Sequence, residues 1–313
     1  MRKTLIASAV FGAFSVPMSA HADTAAPAPA PAAEAKSPHT ITGNVAVVSD
    51  YIFRGLTQTN GKPAIQGGFD YAHSSGFYAG TWLSNISWFT DQNSGVKSAP
   101  QALSAPTAGQ NTPPFQIGYV NGKFNQASLE WDIYGGYKDN ISEDMTYDVG
   151  LLRYQYPGTY DNTGAYHNPG TTEVYGAVSY KWLTLKYSKA ISTYTFGVNE
   201  SKGASYIDLS AVVPLGDSGI NLQAHVGHQR YPSNSNLGYF TTSGAVGGNN
   251  SLFSYTDYKI GVTKDYAGFT FGLAYTYANT KDTAQDGDTT VYMNAFGKNI
   301  GGSRGVLSIS RTF

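Results

Sequence analysis

From residue 40 onward the chain is built of segments in which apolar side chains occupy every second position and polar ones the positions between. In residues 40–54, Ile41, Gly43, Val45, Val47, Tyr51 and Phe53 fall on one parity, opposite Thr42, Asn44, Asp50 and Arg54. The split recurs in 128–138, where Leu129, Trp131, Ile133 and Tyr137 oppose Glu130, Asp132 and Lys138, and in 268–279, where Phe269, Phe271, Leu273, Tyr275 and Tyr277 oppose Thr270, Thr276 and small residues. A period of two belongs to extended chain, since a helix would repeat near 3.6. The chain also ends inside such a segment: GVLSISRTF carries Leu307, Ile309 and Phe313 on one parity. A strand with an apolar terminus must be paired and covered, and a closed sheet in lipid does both.

The connections sort into two classes that alternate along the chain. Short ones are expected at 73–76, 139–144, 181–182, 216–219 and 265–268; long ones at 55–63, 89–123, 157–170, 198–203, 232–251 and 281–303. Bacterial outer-membrane barrels have short turns at one rim and long loops at the other, with an even number of strands. The pattern therefore predicts an all-β fold: an antiparallel transmembrane β-barrel of about twelve strands over residues 40–313. In 76–88, Trp82, Ile86 and Trp88 lie on one parity and Phe77 and Leu83 on the other, so the facing of that strand stays open.

The N-terminus reads as an export signal. Arg2 and Lys3 precede an apolar run from Leu5 to Val16, Pro17 ends it, and Ala20, His21 and Ala22 supply a small-residue cleavage site, which predicts removal of residues 1–22. That run is too short to cross about 30 Å of hydrocarbon as a helix, and no later stretch reaches the length of a helical span. Residues 23–39, rich in Ala and Pro, have little to bury and are expected to form an extended, disordered periplasmic tail. Cysteine is absent, so disulfides contribute nothing in an oxidising compartment. Aromatic residues make up 14% and charged residues 13% of the chain, odd for a soluble domain and natural for a barrel with aromatic girdles. A net charge of −1 points to no nucleic-acid partner.

Candidate chemistry is sparse. His225 and His228, at i and i+3 on a strand, face opposite ways and share no ion. The run from Gly55 to Lys62 has one residue too many between its glycines for a phosphate loop, and Pro63 stands where Ser or Thr would be needed. Asp282, Asp286 and Asp288 depart from a calcium-loop spacing, so a solvated loop is the plainer reading. His167, with Asp161 nearby in sequence, lacks a serine in a nucleophile context, and no enzyme and no cofactor is expected. The inward parities are more informative. They place Asp50, Asp70, Glu130, Asp132, Asp148, Glu173, Asp208 and Asp257 toward the lumen, with Arg54, Lys138, Lys181, Lys186 and Lys259. Such groups either pair across strands as a polar filling or line a water path whose acidic excess favours cations.

Residues 42–88 carry three stretches, SDYIFRG at 49–55, TQTNGKPAIQGGFDYAH at 57–73 and SGFYAGTW at 75–82, that resemble the opening of the TorF family of porins, also called the Gcw_chp family. Beyond the first three strands the likeness lies in the alternation and the closing S-x-S-x-T-F. The loops at 89–123 and 281–303 are long for that family. The resemblance implies a barrel in a Gram-negative outer membrane and a pore, without naming a solute. The reading is thus a porin-like channel for small hydrophilic solutes, with Asp50, Arg54, Asp70, Glu130, Asp132, Asp148, Glu173, Lys186, Asp208, Asp257 and Lys259 as pore-lining candidates. Leu307, Ile309 and Phe313 are candidates for the signal read by the barrel-assembly machinery, reached with periplasmic chaperones after Sec-type export. A non-conducting barrel that binds surfaces through its long loops is the alternative.

Overall fold

The computed structural model describes residues 37–91, 126–158, 169–198, 201–232, 240–241, 244–245, 252–281, 292–294 and 296–313. The expected signal and most of the Ala/Pro tail lie outside them, as do the segment 92–125, Asp161, His167, Asp282, Asp286 and Asp288. Among the described residues twelve antiparallel strands close into a barrel. They are β1 (His39–Val48), β2 (Ala64–His73), β3 (Phe77–Asn85), β4 (Leu129–Asn140), β5 (Met145–Gln155), β6 (Thr171–Tyr180), β7 (Leu183–Ala190), β8 (Ser205–Pro214), β9 (Ile220–Arg230), β10 (Tyr255–Tyr266), β11 (Phe269–Ala278) and β12 (Arg304–Thr312). Each strand pairs with its sequence neighbours, and β12 returns to β1 with Val47 opposite Ile309. At the seam Gly43 and Phe313 exchange both backbone hydrogen bonds, at 3.2 and 2.8 Å, so the last residue completes the ladder and no edge is left there.

Alternation sorts the side chains as the pleat demands. Outside, Val47, Trp131, Val149, Leu185, Leu209, Val226, Ile260 and Leu273 are exposed, with Leu307, Ile309 and Phe313 on the same surface. That apolar belt is stable against lipid and a liability in water. On β3 the open facing resolves with Phe77 outside and Trp82, only 6% exposed, inside. Register decides this: Trp82 lies opposite Asp132, whose strand presents Glu130, Asp132 and Tyr134 inward.

The first strand departs from expectation. The parity of residues 40–54 puts Tyr51 and Phe53 against lipid, but β1 stops at Val48, and both rings are buried, at 1% and 8% exposure. The chain turns inward after Ser49 and forms a small hairpin, Ile52–Phe53 against Leu56–Thr57, inside the barrel. Lys181 is a second correction. It sits in the turn between β6 and β7, half-exposed, with its ammonium 3.5 Å from Asp144 rather than in the lumen. Two aromatic clusters fill the long-loop end. One joins Tyr51, Phe53, Trp82, Phe89, Tyr134, Tyr154, Tyr156 and Tyr175; the other joins Tyr231, Leu252, Phe253, Tyr255 and Tyr292. A twelve-stranded barrel is too wide for its own wall side chains to fill, so inward-folded loops supply the missing volume.

Candidate functional site

The hairpin of residues 49–63 crosses the barrel interior, and its local sequence explains how it turns. Arg54 and Gly55 take φ of 47° and 76°, the left-handed pair that lets two residues reverse the chain. Gly55 is needed twice over, since a Cβ there would lie 2.5 Å from Cβ of Asp257 on the far wall. The base is stapled by Asp50. Its Oδ1 accepts from Thr57 Oγ1 at 2.5 Å, Thr59 Oγ1 at 3.0 Å and the Gly61 amide at 3.2 Å, while Oδ2 lies 3.6 Å from Arg304 Nη1. Neighbouring loops hold it from both sides. The amides of Ser87 and Trp88 donate to the Gln58 carbonyl, and Thr57 donates its amide to Ile300.

At the tip, Arg54 reaches the opposite wall. Its Nη1 donates to Glu173 Oε1 at 3.0 Å and Gln229 Oε1 at 2.8 Å, and Nη2 donates to Glu173 Oε2 at 2.7 Å. This two-pronged pair is the strong form of a guanidinium–carboxylate contact. The guanidinium carbon also stands 4.2 Å from the Tyr206 ring centre, 5.0 Å from Phe53 and 5.7 Å from Phe196. Burial works against the Arg54 charge, and the Glu173 carboxylate more than restores it, so the guanidinium stays protonated with its pKa raised well above the ordinary value.

The remaining pore-lining candidates separate into groups. Asp70 and Asp148 accept phenol hydrogen bonds of 2.5 Å from Tyr134 and Tyr78, and Tyr78 in turn bonds Tyr175. Lys186 Nζ lies 4.2 Å over the Tyr175 ring and is in register with Asp208. Asp257 accepts from the Tyr206 hydroxyl at 2.8 Å and meets His225 Nε2 at 3.0 Å; the other ring nitrogen is 2.8 Å from Ser210 Oγ and 3.9 Å from Asp208. Lys259 stands opposite His225 across β9 and β10. His228 is exposed on the outer face and bonds Thr256, so the two histidines lie on opposite faces. Glu130 and Asp132 are buried on β4 beneath Tyr51, whose hydroxyl donates to Glu130 Oε1 at 3.2 Å. Sequence reasoning named the charges and missed the aromatic and amide groups that hold them, Tyr206, Gln229, Tyr154 and Trp82. Their inward parity was the available signal.

The sequence profile described as "bacterial protein of unknown function (Gcw_chp)" matches residues 32–313, nearly the whole chain. The chain belongs to the Gcw_chp family. No curated protein matches it. Among solved structures, a KdgM porin aligns over 87% of this chain and 99% of its own at 4% identity and a TM-score of 0.44. A NanC porin aligns over 87% and 98% at 9% identity and a TM-score of 0.42. OprD of Pseudomonas aeruginosa aligns over 80% and 61% at 11% identity and a TM-score of 0.33. In this Gcw_chp member the outer-membrane character rests on its own closed sheet and apolar belt.

Proposed function

We propose that this chain is an outer-membrane porin of the TorF type that passes small hydrophilic solutes by diffusion, with the hairpin of residues 49–63 as its constriction. One observation carries the reading: a loop folded into a lumen lined by charges of both signs, anchored across the bore by Arg54 on Glu173 and Gln229. Beside that buried anchor, Asp70, Lys138, Asp148, Lys186, Asp208 and Lys259 keep partial exposure on the inner wall, as charges along a water path do, whereas full burial would cost several kcal/mol per ion, on the order of magnitude known for proteins. The route to the membrane follows from the sequence reading: Sec-type export, loss of residues 1–22, a periplasmic tail at 23–39, chaperone escort, and insertion by the barrel-assembly machinery in a Gram-negative cell. Leu307, Ile309 and Phe313 act as its terminal signal, and no catalytic step is assigned.

The test is single-channel conductance of refolded protein in planar bilayers, wild type against Arg54→Ala with Glu173→Gln. Removing both partners frees the hairpin without leaving a bare buried charge. Small steps in the wild type and larger ones in the variant are expected. The aromatic packing at the long-loop end favours a second reading, a non-conducting barrel that binds surfaces through its loops. Silence from both proteins in lipid would decide for that reading.

A further inference from the structure

The wall beneath the hairpin contains an electrostatic anomaly. Glu130 and Asp132, two residues apart on β4, both face inward and are 1% and 6% exposed. Glu130 Oε2 and Asp132 Oδ1 have no hydrogen-bond partner, and neither carboxylate joins an ion pair among the described residues. The Arg54 guanidinium is committed to Glu173 and Gln229. Ionised together they would repel, and protonation, which relieves that, still leaves buried polar atoms unpaired, at a cost in free energy. A cation bound between them would offset both costs.

We propose that Glu130 and Asp132 form a binding site for a small alkylammonium cation, the amine end of a solute handled by the channel. Two features select this chemistry over a metal ion. Calcium takes six to eight oxygens, whereas no group of three His, Cys, Asp or Glu able to hold a metal occurs among the described residues. The flanks are aromatic instead. Trp82 and Tyr154 stand in register with Asp132 on the strands to either side, and Tyr51, 5.5 Å from Trp82 between ring centres, closes the site from above. Carboxylates among aromatic side chains suit an organic cation, which can gain from both charge and ring quadrupole. Tyr51 belongs to the hairpin, so the cation reaches the carboxylates when the hairpin shifts. The assignment rests on the channel reading for that route, and equilibrium binding tests it apart from conduction.

The experiment is thermal and urea unfolding of the full refolded barrel in lipid vesicles, with ethylammonium chloride as probe and sodium and calcium chloride at matched ionic strength as references. Ethylammonium should raise the wild-type midpoint saturably, and sodium and calcium should not. Glu130→Gln with Asp132→Asn should unfold at a higher midpoint than wild type without ligand, because the repulsion is gone, and should lose the ethylammonium shift. Trp82→Leu keeps both acids and should weaken apparent affinity about tenfold, as expected from loss of one desolvated cation–aromatic contact. No saturable shift in the wild type, an equal shift with calcium, or a shift retained by the double variant would overturn the site. Conductance without binding would leave the channel standing and remove the site; binding without conductance would do the reverse.

Discussion

Arg54 shows how much of this molecule depends on single side chains. Its side chain is only 7% exposed and that of Glu173 2%, so the pair is desolvated and neither member tolerates the loss of the other. Arg54→Met should destabilise the barrel by about 3–5 kcal/mol in urea titrations, the range for stranding a buried charge, and adding Glu173→Gln should restore part of it. Gly55→Ala adds a Cβ at a left-handed φ against the Asp257 wall, and should release the hairpin to proteolysis at positions protected in the wild type. Phe313 acts at the seam. Its backbone closes the ladder onto Gly43 while its ring lies outside. Deleting it should lower the amount of protein in outer membranes more than the amount synthesised, as judged by fractionation and blotting; equal accumulation would deny it an assembly role. Arg311 on the same face stands 5.2 Å from the Phe269 ring and 5.4 Å from Phe313, and at the barrel rim it costs only about 0–1 kcal/mol.

Strands are the scale at which lipid and lumen separate. On β1, Val47 is 46% exposed on the outer belt, and Ala46 faces the interior. Val47→Arg puts a charge on the lipid face and should therefore cost up to about 2–4 kcal/mol in refolding titrations, the midplane value being the upper bound, while Ala46→Arg one residue away should be better tolerated. Equal losses would mean that the strand does not meet lipid as described. β1 ends where its partner on the other side begins: β2 starts at Ala64, opposite Val48, although β12 runs on to Arg304 and its Leu307 carbonyl still accepts from the Ser49 amide. The chain instead bends inward, where Asp50 gathers the hydroxyls of Thr57 and Thr59.

For the whole molecule, the proposed channel makes the balance of inward charge the quantity to test. Asp70, Glu130, Asp132, Asp148, Glu173, Asp208 and Asp257 on the described inner wall, with Asp50 on the hairpin, outnumber Lys138, Lys186, Lys259 and Arg304 with Arg54 on the hairpin. A narrow acidic passage repels anions, most strongly at low salt, where the Debye length is about 30 Å at 0.01 M. Reversal potentials under a salt gradient should show modest cation preference, reduced in the Glu130→Gln, Asp132→Asn double variant. Anion preference in the wild type, or no change in the variant, would remove the two acids from selectivity.

Alternation from residue 40 onward, the two classes of connection and the apolar terminus at Phe313 sufficed to determine a closed antiparallel barrel of about twelve strands, because the pleat forces neighbouring side chains to opposite faces whatever the surroundings. Periodicity relates the two faces to each other but does not say what each one meets. Tyr51 and Phe53 fit the lipid parity as well as Val47 does, and only closure of the sheet placed their rings in the lumen, where loops had to fill a bore too wide for wall side chains. Likewise Glu173, Gln229 and Arg54 lie far apart in sequence, and nothing local links them. Their meeting is a property of the barrel's circumference, which brings three distant segments around one axis.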